Sequence, residues 1–217
     1  GEFGLSAKNC HGKTLTPNQT CVFSVRFSPI TAVYKTGSVS IPSNASTSPS
    51  TVSHSGYGIT GTNLLLSPSF DFPLTKPLPW KHPNNSFTFA DVWDCSVSLS
   101  PLCSVRFSGN PNNYTQSLIQ GVMRDGRIGD KYVFLLSSRA KNIPAGGQYK
   151  VEVILLNMYN QVVGSKSVNF TDGTHDFKTV AGTIIARAQY SCVVFQFSLQ
   201  KDSGTAWFDN ARLISTP

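Results

Sequence analysis

The stretch SCVVFQFSL, residues 191–199, decides how this chain folds. Val193, Phe195, Phe197 and Leu199 occupy every second position, the period that places side chains on one face of a β-strand. Four bulky apolar groups in one row need a core. Cys192, Val194, Gln196 and Ser198 then face the other way. The same strand character runs outward through SLIQGVM, KYVFLLSSRAK, QYKVEVILLN, KSVNF, HDFKTVAGTII and AWFDNARLI. Between them, RDGRIGD, NIPAGG, NMYNQ, TDG and KDSG carry the Gly, Asn, Asp and Pro residues that turn a chain back on itself. No window shows helical periodicity. Many strands joined by such turns predict an all-β fold, an antiparallel β-sandwich of jelly-roll type, over residues 62–217.

Composition agrees with strands. Hydrophobic residues make up 40% and charged residues 13%, a packed composition far from that of disorder. Glu occurs only at Glu2 and Glu152, while Val, Phe, Tyr and Thr are plentiful. The net charge of +7 is spread over single Lys and Arg residues, with RDGR at 124–127 the densest cluster. No basic run interleaves with stacking aromatics, so a nucleic-acid partner is not expected, whereas an acidic polysaccharide stays open. No apolar run is long enough to cross a membrane as a helix, and the start shows no signal-peptide pattern; membrane insertion is not expected.

Residues 1–61 have a different grammar, with a joint at GITGTN (58–63). CVFSVRFSP (21–29) alternates Phe23, Val25 and Phe27 against Val22, Ser24, Arg26 and Ser28. GSVSIPS and STVSHSGYG repeat that rhythm, yet three or four strands are too few for a complete immunoglobulin-type sandwich. Cys10 and Cys21 bracket one short loop, and Cys95 and Cys103 bracket another. Neither pair has CxxC spacing or a His at zinc-finger distance, so two disulfides and an extracellular or cell-surface location are expected. Cys192 is left over. Residues 9–58, with NC-GKTLTPNQTC-F-VRFSP, G-VSI-SNASTSP and V-HSGYG in order, resemble the C-terminal half of a hydin-type immunoglobulin-like repeat. That resemblance implies a piece of a larger multidomain exported protein.

A second resemblance covers residues 63–214. NLLLSPSFDF, a Trp-bearing loop, YTQSLIQGV, GDKYVFLLSSRAKN and the closing AWFDNARL resemble, in that order, the jelly-roll carbohydrate-binding modules of the family four, nine and twenty-two group. Ser67 stands where those modules usually have Asn, and Asn210 where a second Asp is common. The resemblance implies a structural calcium that pins the chain ends together, held by Asp71 of the opening motif and Asp209 of the closing one. Carboxylates beside turn carbonyls make a hard oxygen site of that kind. The competing reading has Asp209 capping a turn or pairing with Arg212. Trp207 and Leu213, at the parity of Asp209, are expected to pack into the sandwich.

The same resemblance assigns sugar contacts to Gln196, to Gln120 on a neighbouring strand, and to Tyr159 and Asn160 in the NMYNQ turn. Stacking on an aromatic ring and exchange of amide hydrogen bonds are what a pyranose needs. Arg139, at a strand end, is placed to reach the same concave sheet. Trp80 and Trp93 are either binding platforms or anchors of the core.

An enzyme is not expected. No GxSxG, HExxH or P-loop pattern occurs, and the four His residues fall in predicted loops or strand edges. Most acids fall in predicted turns, leaving no carboxylate pair across a cleft for glycoside hydrolysis. The expected function is noncatalytic binding of a polysaccharide or glycan; the alternative is a structural spacer or adhesion module without a glycan site.

Overall fold

The computed structural model describes residues 2–6, 10–29, 34–58, 61–71, 79–83, 93–100, 102–112 and 114–216. The chain divides into two compact units, Gly1–Thr60 and Gly61–Pro217. In the first, β1 (Phe3–Ser6) pairs antiparallel with β2 (Ser24–Phe27), and β3 (Tyr34–Ile41) with β4 (Ser50–Tyr57). Phe3 stacks on Phe27 at 4.5 Å, with the His54 ring edge-on to it. The Cys10–Cys21 disulfide is formed. Val22, Val25 and Val52 are exposed, and every buried hydrophobic residue among those described belongs to the second unit. The described strands of the first unit make two separate two-stranded ladders. An immunoglobulin-type repeat here rests on the sequence resemblance alone.

The second unit is a β-sandwich. Its strands are β5 (Trp93–Asp94), β6 (Ser104–Ser108), β7 (Gln116–Gly126), β8 (Lys131–Ile143), β9 (Gln148–Leu156), β10 (Val162–Asn169), β11 (Gly173–Ile185), β12 (Tyr190–Gln200) and β13 (Thr205–Thr216). One sheet has the order β10-β9-β12-β7 and the other β11-β8-β13-β6-β5. All pairings are antiparallel. The 191–199 stretch lies at the centre of the four-stranded sheet, and its apolar row faces inward as its alternation requires. Phe197 meets Phe208 of the opposite sheet at 4.8 Å and stacks on Phe107 at 5.7 Å. Each such fully buried ring contributes about 1.5–3 kcal/mol through apolar area removed from water.

The opening segment runs beside the closing strand. Leu64 N–H donates to Leu213 O, Ala211 N–H to Pro68 O, and the Asn63 amide bridges Ala211 O and Leu213 N–H. Phe70 has a φ of 57°, which a bulky residue rarely adopts. Full burial among Trp80, Trp93 and Phe197 holds it there. At the end of the sandwich formed by the β8–β9 and β12–β13 turns, the buried Lys201 ammonium donates to Pro144 O, Gly146 O and the Asp172 carboxylate. Three acceptors for three N–H groups make its burial tolerable.

The closing strand departs from simple alternation. Ala206 and Phe208 are in the core, so Trp207 faces outward, flanked by Arg139 of β8 and Arg106 of β6. The register shifts between Asp209 and Arg212, with Asn210 at φ 53°. That bulge returns Leu213 to the core while Trp207 stays out, correcting the expectation that both pack inside.

Candidate functional site

The two glutamines expected to share a binding face lie on opposite faces of the four-stranded sheet. Gln196 points outward, between Ile119 of β7 and Glu152 of β9. Gln120 stands opposite Phe195 on the inner face and is 4% exposed. Its amide oxygen accepts from Leu66 N–H at 2.7 Å and its amide nitrogen donates to Leu66 O at 2.9 Å. That pair of bonds mimics a strand ladder and ties the opening segment to β7. Gln120 is spent on the fold. Trp80 is likewise 3% exposed, with its indole N–H shared between Leu66 O and Ser67 O and its rings against Phe70, Phe195 and Phe197. Trp93 donates to Phe70 O at 2.8 Å. Both tryptophans pack against the core, and the buried Trp80 offers no platform.

Arg139 belongs to the other sheet. Its guanidinium lies over the Trp207 ring at 5.8 Å and pairs with Asp176 at 3.9 Å. Trp207 in turn donates its indole N–H to Asp94. Burial pushes the Asp94 carboxyl up, but hydrogen bonds from Ser96 and Trp207 and the charge of Arg106 outweigh it and hold the group below its usual range. Arg139 therefore cannot share a surface with Gln196. The outer face around Gln196 is Ile119, Gly121, Val194 and Ile154, with the Glu152–Lys150 pair beside it, and its described strands present no aromatic ring there.

Asp71 and Asp209 converge on one loop. Both reach the loop between β5 and β6 that the Cys95–Cys103 disulfide closes. Asp209, fully buried, accepts from Leu99 N–H and Ser100 N–H at 2.8 Å, from the Ser100 hydroxyl at 2.8 Å and from Asn210 N–H at 2.7 Å. Asp71 accepts from Leu102 N–H and Cys103 N–H, each at 3.1 Å. A carboxylate offers about four lone-pair positions, and four donors occupy those of Asp209. The positive ends of N–H dipoles stand where calcium would need oxygen lone pairs, so this donor set does not fit the expected ion. Among the described residues no group of three or more His, Cys, Asp or Glu is placed to hold a metal ion.

Tyr159 and Asn160 occupy the β9–β10 turn. Asn157 builds that turn, its side-chain oxygen accepting from Tyr159 N–H and Gln161 N–H, and Asn160 takes the left-handed φ of 59°. Tyr159 is left 73% exposed and Met158 beside it 75%. They rim a cleft of about 600 Å³ whose other walls include Asp125, Gln189 and Ser191, from the end of β7, the β11–β12 turn and the start of β12. Asn160 does not line it. The floor is Tyr190, whose hydroxyl pairs with Tyr132 at 2.6 Å and donates to Asp130 at 2.8 Å. Burial first, and then Tyr132 and Asp130, push the Tyr190 phenol well up, so it stays protonated. The Arg127 N–H and the Tyr190 hydroxyl hold Asp130 low. This buried chain fixes the floor and leaves the rim free. Tyr159 is one of the residues named from the sequence; Asp125, Gln189 and Ser191 are not, since they come from the end of β7, the β11–β12 turn and the start of β12, with no shared motif.

No family model matches the sequence, and no curated protein matches it. The enzymatically active domain of bacteriophage CBA120 tailspike protein 4 is similar in structure, at 15% identity and a TM-score of 0.52. The match covers 71% of this chain and 21% of that one, so the chain spans about a fifth of the tailspike domain. The fold is a jelly roll. A family four carbohydrate-binding module superposes at a TM-score of 0.45, with 15% identity over 70% of this chain and 99% of that one. The xylan-binding CBM22-1 domain of Paenibacillus barcinonensis Xyn10C gives 0.46, with 13% identity over 73% and 97%. At these identities the likeness concerns the fold and leaves the site to its own geometry.

Proposed function

We propose that residues 61–217 are a noncatalytic carbohydrate-binding module of an exported multidomain protein, with its saccharide seated at Tyr159. The observation that carries this reading is the cleft itself: an exposed ring on a turn held by three Asn157 hydrogen bonds, facing a carboxylate, an amide and a hydroxyl. A pyranose presents an apolar face to stack on such a ring and a rim of hydroxyls to exchange hydrogen bonds. Gln196 is a separate, weaker contact surface, since its face lacks a ring. The two disulfides support export.

A structural spacer is the second reading, favoured by one observation: Gln120 and Trp80, two of the expected contacts, serve the core instead. Affinity electrophoresis of the whole chain through gels of neutral and acidic polysaccharides separates the two. Retardation by one polymer class, lost in Tyr159→Ala, supports the binding module. Unretarded migration of the folded chain in every gel supports the spacer.

A further inference from the structure

The geometry points to a metal-free closure: the loop locked by Cys95–Cys103 does the work that calcium was expected to do. The task is to hold the opening segment, through Asp71, against the closing strand, through Asp209. A calcium ion would do so by offering one positive charge centre to six to eight oxygens. Here the positive centre is distributed. Leu99 and Ser100 N–H groups address Asp209, Leu102 and Cys103 N–H groups address Asp71, and all four come from one short loop.

Ser100 sits between the two acids. Its single hydroxyl hydrogen goes to the nearest acceptor, Asp209 Oδ1 at 2.8 Å, while Ser69 O and Asp71 Oδ1 lie farther off at 3.1 and 3.4 Å. Below the loop, the Ser104 hydroxyl bonds Val97 O and the Asp94 carboxylate bonds Ser96 N–H. Each of these links is a hydrogen bond donated to a carboxylate or a carbonyl. Such successive N–H groups form anion-binding concavities, and a cation placed among them would face repulsion from each.

The disulfide makes this arrangement affordable in entropy. An open loop would have to order its backbone to present four converging N–H groups, whereas the cross-link between residues 95 and 103 restricts the loop before folding. The chain is thus closed by oxidation and is indifferent to calcium. This holds whether or not the Tyr159 cleft binds a saccharide.

Thermal melting and calorimetric titration of the oxidised whole chain test it. The wild-type protein is expected to melt at the same temperature in calcium and in EDTA, and to show no saturable calcium binding. Cys95→Ser/Cys103→Ser, which leaves Cys10–Cys21 intact, is expected to melt about 5–10 °C lower, with no recovery in calcium. One-site calcium binding to the wild type that is lost in Asp209→Asn would overturn the inference. So would a serine double variant that keeps the wild-type melting temperature. The wild-type titration decides the matter even if the double variant fails to fold.

Discussion

At Asp209 and at Tyr159 the sandwich gathers the same kinds of atoms: carboxylate, hydroxyl, amide and aromatic ring. They differ in what remains uncommitted. Around Asp209 the acid is fully buried and meets four donors, and the rings nearby are packed into the core. Around Tyr159 the committed groups are those that build the turn and the floor, with one long 3.5 Å bond from the Ser191 hydroxyl to Leu156 O, and the ring stands in solvent. The first region holds the fold together. The second keeps its hydrogen-bonding capacity for something else. A chemically suggestive residue is a ligand contact only when the fold has not already used it.

The largest expected effect breaks the first region. Asp209→Asn should cost about 3–5 kcal/mol, because two or more buried N–H groups lose an acceptor worth ~1–3 each; denaturant unfolding measures it. Gln120→Ala should cost about 1–3 kcal/mol by leaving the Leu66 N–H without its acceptor, while the Leu66 C=O keeps the Trp80 indole N–H, read in the same way. A loss in either variant within ~0.5 kcal/mol would erase the contrast.

Acid should act through Asp94 and Asp130, whose carboxyls are both held below their ordinary range. A depressed folded-state value adds stability that is present above the unfolded carboxylate range and is lost as pH falls through the folded value. Melting temperature is therefore expected to drop below about pH 4, and Trp207→Phe, which removes one donor to Asp94, should make that drop shallower. A profile identical in the two proteins would count against the assignment.

Tyr159→Ala sharpens the second region. Stability should change by less than about 0.5 kcal/mol, as for an exposed side chain, while polysaccharide affinity falls about tenfold, ~1.4 kcal/mol. Gln196→Ala is expected to have the smallest effect, within ~0.5 kcal/mol on stability.

Much of the sandwich was legible from alternation. The row Val193, Phe195, Phe197, Leu199 faces the core as read, and the strands named from pattern correspond to β7 through β13. The two short-loop disulfides were legible from spacing. Where alternation failed, a local irregularity was responsible. The bulge after Asp209 and the left-handed Asn210 detach Trp207 from the parity of Leu213; Asn tolerates that conformation, but nothing in WFDNARL fixes it there. Gln120 was misplaced because it was read beside Gln196 by likeness; the register sets it opposite Phe195, one position off the Ile119 that Gln196 faces. The convergence of Asp71 and Asp209 was legible, but its chemistry was not. Only the structure shows that backbone N–H groups, which every residue but proline carries, fill the space between them. The cleft was half legible for a similar reason: Tyr159 sits in a readable turn, while Asp125, Gln189 and Ser191 join it only through topology.

The most direct test measures two variants by two readouts. Tyr159→Ala and Gln120→Ala are each melted, then run through gels of the polysaccharide that retards the wild-type chain, at a temperature where both are folded. Tyr159→Ala is expected to melt like the wild type and lose retardation, while Gln120→Ala is expected to melt lower and keep it. Retardation lost in Gln120→Ala and kept in Tyr159→Ala would contradict the account and return the binding site to the sheet.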